Sequence, residues 1–401
     1  MSVPQATAQP PAPARRRRSR LIAVSVASVI VVGAAVALLW PSPIDAEAWS
    51  PAPAPAAEGV LAENDALRDG VLVGDGEIRN PEDVTFDAEG RLYAGSRDLT
   101  GFGEASNARI VRVSDPGGPS PAVETFVDLP GGNPLDVRFD RDGNLLVADW
   151  NLGLLSVSPD GQVDTVLALG REIEGIPFDR PDGIAVTSDG TVFVTEGSHR
   201  PGPYNGVHEA LEGRFWGRLI ELDPATRDAR VVTSDLSFGN GMAVTPDGRA
   251  LLVADTYRYR IQRYWLGGDR EGTVDTFADN LPGLPHNIAH AEDGTLWVGV
   301  YGGRMPLIDR IQSQPFLKEQ LAKLPSSWFL QSGDPEATDR RGIGSALALS
   351  GDGEILASLQ NPPPGMHTLA SAVPHRGNLY LGTITGGPLL RVPAPDPGTA
   401  P

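Results

Sequence analysis

The sequence predicts an all-β protein: a six-bladed β-propeller preceded by a single N-terminal transmembrane helix. Three observations carry that prediction. One uncharged run of 20 residues lies near the N-terminus, one hairpin phrase recurs six times, and the composition pairs 47 Gly and 37 Pro among 401 residues with 40% hydrophobic side chains. So many turn formers beside so much apolar material favour short strands over disorder or long helices.

Leu21–Trp40 reads LIAVSVASVIVVGAAVALLW. At about 1.5 Å per residue, a helix of that length matches a roughly 30 Å hydrocarbon core. Arg15, Arg16, Arg17 and Arg18 precede it and Asp45 and Glu47 follow. The positive-inside rule then keeps residues 1–20 as a basic cytoplasmic tail and sends the body across a cell membrane, single-pass. The alternative is a cleaved signal peptide, with Ala46 and Ala48 just downstream and a secreted product. Both put the body outside the cytoplasm. Residues 41–70, opening PSPIDAEAWSPAPAPAAE, are rich in Pro and Ala and read as an extended spacer.

Residues 71–395 form the predicted propeller, and 396–401 a disordered tail. The recurring phrase is a polar residue, an alternating apolar strand, a tight turn ending in Gly and a second apolar strand. Its copies include PEDVTFDAEGRLYAGS, PLDVRFDRDGNLLVAD, PDGIAVTSDGTVFVTE, GNGMAVTPDGRALLVAD and PHNIAHAEDGTLWVGV, with turn glycines Gly90, Gly143, Gly190, Gly248 and Gly294. A sixth, TLASAVPHRGNLYLGT, turns at Gly377. Most spacings suit one four-stranded blade each, and a closed array leaves few sheet edges exposed. The further hairpin GSALALSGDGEILASL, from Gly344, is assigned to the last blade, because its Gly353 lies too near Gly377 for a seventh. Leu307–Leu324 has helical spacing broken by Pro315 and reads as an insertion after blade five.

The chain has no cysteine, which excludes disulfide frameworks, iron–sulfur clusters and thiol catalysis. Net charge is −18, and removing the +5 of Arg15 to Arg18 and Arg20 leaves −23 for the remainder. So acidic a body is unsuited to nucleic acid. No G-x-S-x-G elbow or H-E-x-x-H pair occurs.

In a propeller the polar residue opening each repeat faces its neighbours across one mouth of the channel. Those positions carry Glu82 with Asp83, Asp136, Asp182, Asn240, and His286 with Asn287. Carboxylate and carboxamide oxygens converging from separate blades suit a hard cation such as Ca²⁺. Asp and Asn at strand starts also serve turn backbone, so each has a structural reading beside this one. Asp149, Glu196 and Asp255, at strand ends, read as blade-stabilising acceptors. Trp150, Trp216, Tyr257, Tyr301 and Trp328 are aromatic candidates for a pocket mouth.

The succession LEGRFWGRLIELDP, GNGMAVTPDG, LLVADTYRYRIQRYWL and LPGLPHNIAHAEDGTLWVG resembles the strictosidine synthase-like family, in particular its adipocyte plasma membrane-associated type. The resemblance runs from about Pro81 to Val392. It implies membership of a wider set of six-bladed, calcium-dependent propellers that includes gluconolactonases and paraoxonases. It also implies metal ligands at Glu82, Asp182, Asn240, His286 and Asn287. Asp182 and His286 depart from that set's pattern, and an imidazole ligand would move preference from Ca²⁺ toward Zn²⁺ or Mn²⁺. The paraoxonase-type histidine would fall near Leu135 and is missing. The catalytic glutamate of strictosidine synthase is missing too, since the last repeat reads HTLASAV.

The expected function is a membrane-anchored hydrolase of a small lactone or ester, with a divalent cation as cofactor and Asp182 and His286 as candidate bases. The alternatives are a non-catalytic cell-surface binding propeller and a strictosidine synthase-type condensation.

Overall fold

The structure, a computed structural model, describes residues 38–101, 104–325, 344–366 and 368–395. Six four-stranded antiparallel sheets succeed one another as blades, and a two-stranded hairpin, Glu172–Ile173 with Ile176–Pro177, sits beside blade three. The innermost strands of blades one to six are Val84–Phe86, Pro134–Phe139, Pro181–Val186, Gly239–Val244, Gly283–His290 and Leu369–His375. The six anticipated turn glycines all take the left-handed backbone, from φ 69° at Gly248 to φ 97° at Gly190. Such a conformation is open to Gly at little cost.

There is no single central core. Six apolar clusters each join two neighbouring blades, so most strands bury side chains on both faces. Val147 and Leu155 pack toward Tyr93 of blade one, while Leu146 and Leu154 pack toward Ile184 of blade three. The strand runs are therefore continuously apolar rather than alternating. Blade six is closed by the N-terminal strand Val71–Val73, which pairs in register with Leu389–Arg391.

That closure corrects two expectations. Ser345–Leu349 and Ile355–Leu359 are the outer strands of blade five: Leu296 pairs with Leu349 and Val300 with Ser345. Blade six needs only three strands from the C-terminal region, because Val71–Val73 supplies its fourth. The helical insertion accordingly lies inside blade five, as helices α2 (Pro306–Ile311) and α3 (Pro315–Ala322), and Pro315 opens α3 where its missing N–H is harmless. A further helix, α1 (Gly206–Glu212), occupies the corresponding connection of blade three.

Residues 41–70 are not a free spacer. Ile44 is buried with Leu211, Ile308 and Ile311, and Glu47 N donates to Glu212 O at 2.8 Å. Lys318 Nζ, buried under α3, donates to Glu47 O, and Trp49 takes the Arg258 guanidinium on its face at 4.4 Å. Pro and Ala stiffen this segment, and Ile44 and Trp49 anchor it to the body as apolar side chains. Among the described residues no helix is long and apolar enough to cross a membrane. The predicted span lies outside them save for Leu38–Trp40, as do Trp328 and the 396–401 tail.

Candidate metal and active site at the channel mouth

An antiparallel pair brings the start of one strand to the end of the next. Pro181 therefore pairs with Glu196, Gly239 with Asp255 and Gly283 with Gly303. The strand starts that carry the polar residues thus share one end of the propeller with α1, α2 and α3. All seven opening residues are buried there, none more than 5% exposed.

Close packing at the axis fixes them. A Cβ on Gly183 would lie 2.6 Å from Asn240 O, and one on Gly241 would lie 2.3 Å from Asn287 Oδ1. Glycine follows the polar residue in blades three and four because any larger residue would displace the next inner strand.

The seven divide by their partners. Arg138 spans Asp83 at 2.7 Å and Asp136 at 2.8 Å, and Asp136 also accepts from Ile184 N at 2.7 Å. Asp136 is thus committed to bracing blades one, two and three. Glu82 is ion-paired with the Arg97 guanidinium, which also donates to the Asn80 and Pro134 carbonyls. The other Glu82 oxygen lies 3.5 Å from His286 Nε2. Asp182 accepts no hydrogen bond at its carboxylate among the described residues. Asn287 Oδ1, Asn240 Nδ2 and His286 Nδ1 are likewise buried without a partner.

Burial raises the Glu82 pKa despite Arg97. Asp182 rises well above the carboxylate range, first through burial and then through the charges of Glu82 and Asp136. Burial depresses His286 to about 3, so at neutral pH it is an uncharged imidazole.

Among the described residues no three His, Asp or Glu side chains are grouped closely enough to clasp a metal. The unfilled lone pairs of Asp182 and Asn287, at the same end of the propeller as the Glu82 oxygen that Arg97 leaves free, suit a hard cation by donor type. His286 adds the one nitrogen.

Half-buried aromatic rings surround these groups. Trp150 meets Tyr204 edge-on at 5.1 Å, Tyr204 and Tyr257 join their hydroxyls at 2.8 Å, and Tyr301 lies 6.1 Å from His286. Trp216 lies off this group, edge-on to His199 and donating to Glu212. Glu209 of α1 is buried beside them, with one oxygen accepting from Ser198 Oγ at 2.8 Å and the other unpartnered. Burial raises it to about 7.

Arg97, Tyr204 and Glu209 were missed in the sequence. Arg97 follows Ser96, the end of the apolar stretch LYAGS, one place beyond the strand-end position held by Asp149, Glu196 and Asp255 elsewhere. Glu209 was marked by the helix signals Asn205, which caps α1 by accepting from His208 N, and Gly213, at φ 69°. The strand-end acids do what was expected. Asp149 accepts from Asn133 N, Glu196 from Asp179 N and Asp255 from Ser237 N, each tying its strand to the loop entering its own blade.

A family profile described as strictosidine synthase matches residues 182–269, and one described as strictosidine synthase-like, N-terminal, matches residues 59–98. Protein STRICTOSIDINE SYNTHASE-LIKE 6 of Arabidopsis thaliana is 30% identical over 322 residues, 80% of this chain and 81% of that protein. The adipocyte plasma membrane-associated protein of Homo sapiens is 31% identical over 342 residues, 83% and 80% of the two chains.

The chain belongs to the strictosidine synthase-like family.

Its fold is shared with solved structures of low sequence identity. A gluconolactonase from Xanthomonas campestris superposes with TM-score 0.54 at 18% identity, over 89% of this chain and 99% of that one. A regucalcin from Agrobacterium tumefaciens, described as calcium-binding, gives 0.52 at 13%, over 82% and 95%. Within this strictosidine synthase-like chain the inner strand of blade six supplies no acid, only Leu369, Ala370, Ser371 and Ala372 among its buried residues. A condensation relying on an acid there has no group to use.

Proposed function

We propose that the protein is a membrane-anchored, extracytoplasmic hydrolase that opens a lactone or ester at the channel mouth with the help of a divalent cation, calcium by preference. The observation that carries this reading is the buried carboxylate of Asp182, which feels the charge of Glu82 and accepts no hydrogen bond among the described residues, at the same channel mouth as the orphaned Asn287 Oδ1. A charge so placed is costly unless something positive meets it.

Asp182, Asn287 and Glu82 would hold the cation, with Asn240 and His286 adjoining. When bound, it supplies polarisation of the substrate carbonyl and stabilisation of the oxyanion. Arg97 fixes the orientation of Glu82 and opposes the rise in its pKa that burial causes. The hydroxyls of Tyr204 and Tyr257 and the rings of Trp150 and Tyr301 orient an apolar substrate with a polar end. Glu209, with a pKa of about 7, is placed to take a proton from water and return it to the leaving alkoxide.

A second reading, a non-catalytic binding propeller, is favoured by one observation: Arg97 already neutralises Glu82.

The test is hydrolysis of a panel of lactones and aryl esters by the full-length protein, with chelator and after return of calcium. Activity unaffected by chelator and by Glu82→Gln would defeat the metal reading. Calcium binding without turnover of any panel member would favour the binding propeller.

A further inference from the structure

The six-residue apolar surface beside the end of the N-terminal hydrophobic run has no apolar partner among the described residues. Leu38, Leu39 and Trp40 are 51%, 84% and 67% exposed, and Phe316, Leu317 and Leu324, on and just after α3, are 59%, 42% and 43% exposed. The two groups adjoin: Lys323 Nζ donates to Leu38 O at 3.0 Å, and Ser42 Oγ to Glu319 O at 3.5 Å. α3 buries Lys318 and Ala322 against the body, which turns Phe316 and Leu317 outward. Soluble surfaces rarely gather apolar side chains in this way without a function.

The chain itself says what lies over this surface. The uncharged run ends at Trp40, and Ser42 already touches α3. At no more than about 3.6 Å per residue, the slack between them is about 7 Å. Ile44 is then locked into the body. A tryptophan at the end of such a run is the residue that settles at a membrane interface.

We propose that this surface docks on the lipid bilayer, holding the mouth end of the propeller against the membrane in which residues 21–40 are embedded. The proposal rests on the reading of residues 21–40 as a membrane span. It also deepens the proposed function: the mouth shares its end of the propeller with α3, so it draws substrate from the bilayer, which suits an ester or lactone with a long acyl chain.

Having no cysteine, the chain accepts a single label at Phe316→Cys, at Leu324→Cys or, on a hairpin turn at the opposite end, at Asp142→Cys. Full-length protein carrying an environment-sensitive NBD label is reconstituted into phosphatidylcholine–phosphatidylglycerol vesicles with and without nitroxide-bearing lipid. The expected result is at least twofold quenching of the labels at positions 316 and 324 and none at position 142. Carbonate extraction of the same vesicles separates the failures. Protein that stays in the membrane with both labels unquenched overturns the docking and leaves the anchor. Protein released by carbonate overturns the anchor and the docking with it. Labels that are blue-shifted yet unquenched mean that protein, such as a second copy of the chain, covers the surface, which also overturns the proposal. Leu324→Cys serves if Phe316→Cys fails to fold.

Discussion

Replacing Asp182 by Asn is expected to change stability in opposite directions with and without cation. Burial, then the charges of Glu82 and Asp136, push the Asp182 carboxyl well above its ordinary range. A folded-state pKa raised above the unfolded one means that the folded state holds the proton more tightly, so stability falls as pH rises through that window. At pH 8 with chelator, Asp182→Asn removes the repulsion while keeping the shape, and the variant should melt at or above the wild-type temperature. With calcium at about 100 times its Kd, wild type gains about 2.7 kcal/mol by mass action. At roughly 2.1 cal/mol/K of unfolding entropy per residue over a propeller of roughly 320 residues, that gain is about 4 °C in Tm. Asp182→Asn deletes the unpaired carboxylate that the cation would meet, so most of this shift should vanish. Scanning calorimetry of the full-length protein in detergent, in EDTA and in calcium, reads all four Tm values. A wild-type Tm indifferent to calcium would refute the reasoning, as would an Asp182→Asn variant that melts lower in EDTA yet keeps the full calcium shift.

Glu209→Gln should erase a limb near pH 7 from the pH–rate profile of hydrolysis, because the pKa of about 7 belongs to Glu209. The raised pKa costs stability as pH rises from the ordinary carboxylate range through about 7. The same variant should therefore gain Tm at pH 8 and little at pH 4.5; a profile and Tm both unchanged would contradict this. Glu196→Ala leaves Arg218, fully buried and paired at 2.5 Å, without its carboxylate. Urea unfolding should show a loss of about 3–5 kcal/mol, the range for breaking a buried pair, and an unmoved midpoint would count against the brace. Gly241→Ala drives a Cβ to within 2.5 Å of the Asn287 Cα, so the blade-five inner strand must shift. Calorimetric titration should show calcium affinity weakened at least tenfold, and an unaltered Kd would mean that Asn287 is not a ligand.

The blades were legible because each repeat carries its own turn glycine and its own paired apolar runs, which are local signals. The position of the hairpin after Gly344 was not, because blade membership depends on which sheet edge is open. That edge in blade six is filled by Val71–Val73, some 300 residues away in the chain. The docking of residues 41–70 was hidden for a similar reason: Ile44 and Trp49 have no partner within reach along the sequence, and theirs lie on α1, α2 and the turn at Arg258.

At the mouth, the opening residues of the repeats gave Glu82, Asp182, Asn240, His286 and Asn287 one shared end, and all are buried there. Their division into braces and free donors was not readable. It depends on Arg97 and Arg138, basic residues within strands whose partners come from the start of their own blade and from the blade beside it. Glu209 sat in a Gly- and Pro-rich connection where the cap signals at Asn205 and Gly213 were the available clue.

The metal content of the purified full-length protein tests the central claim most directly. Elemental analysis after exhaustive dialysis against calcium-containing and then metal-free buffer should find one calcium per chain in wild type and none in Asp182→Asn. Equal metal content in the two proteins, or none in either, would contradict a cation site at the channel mouth.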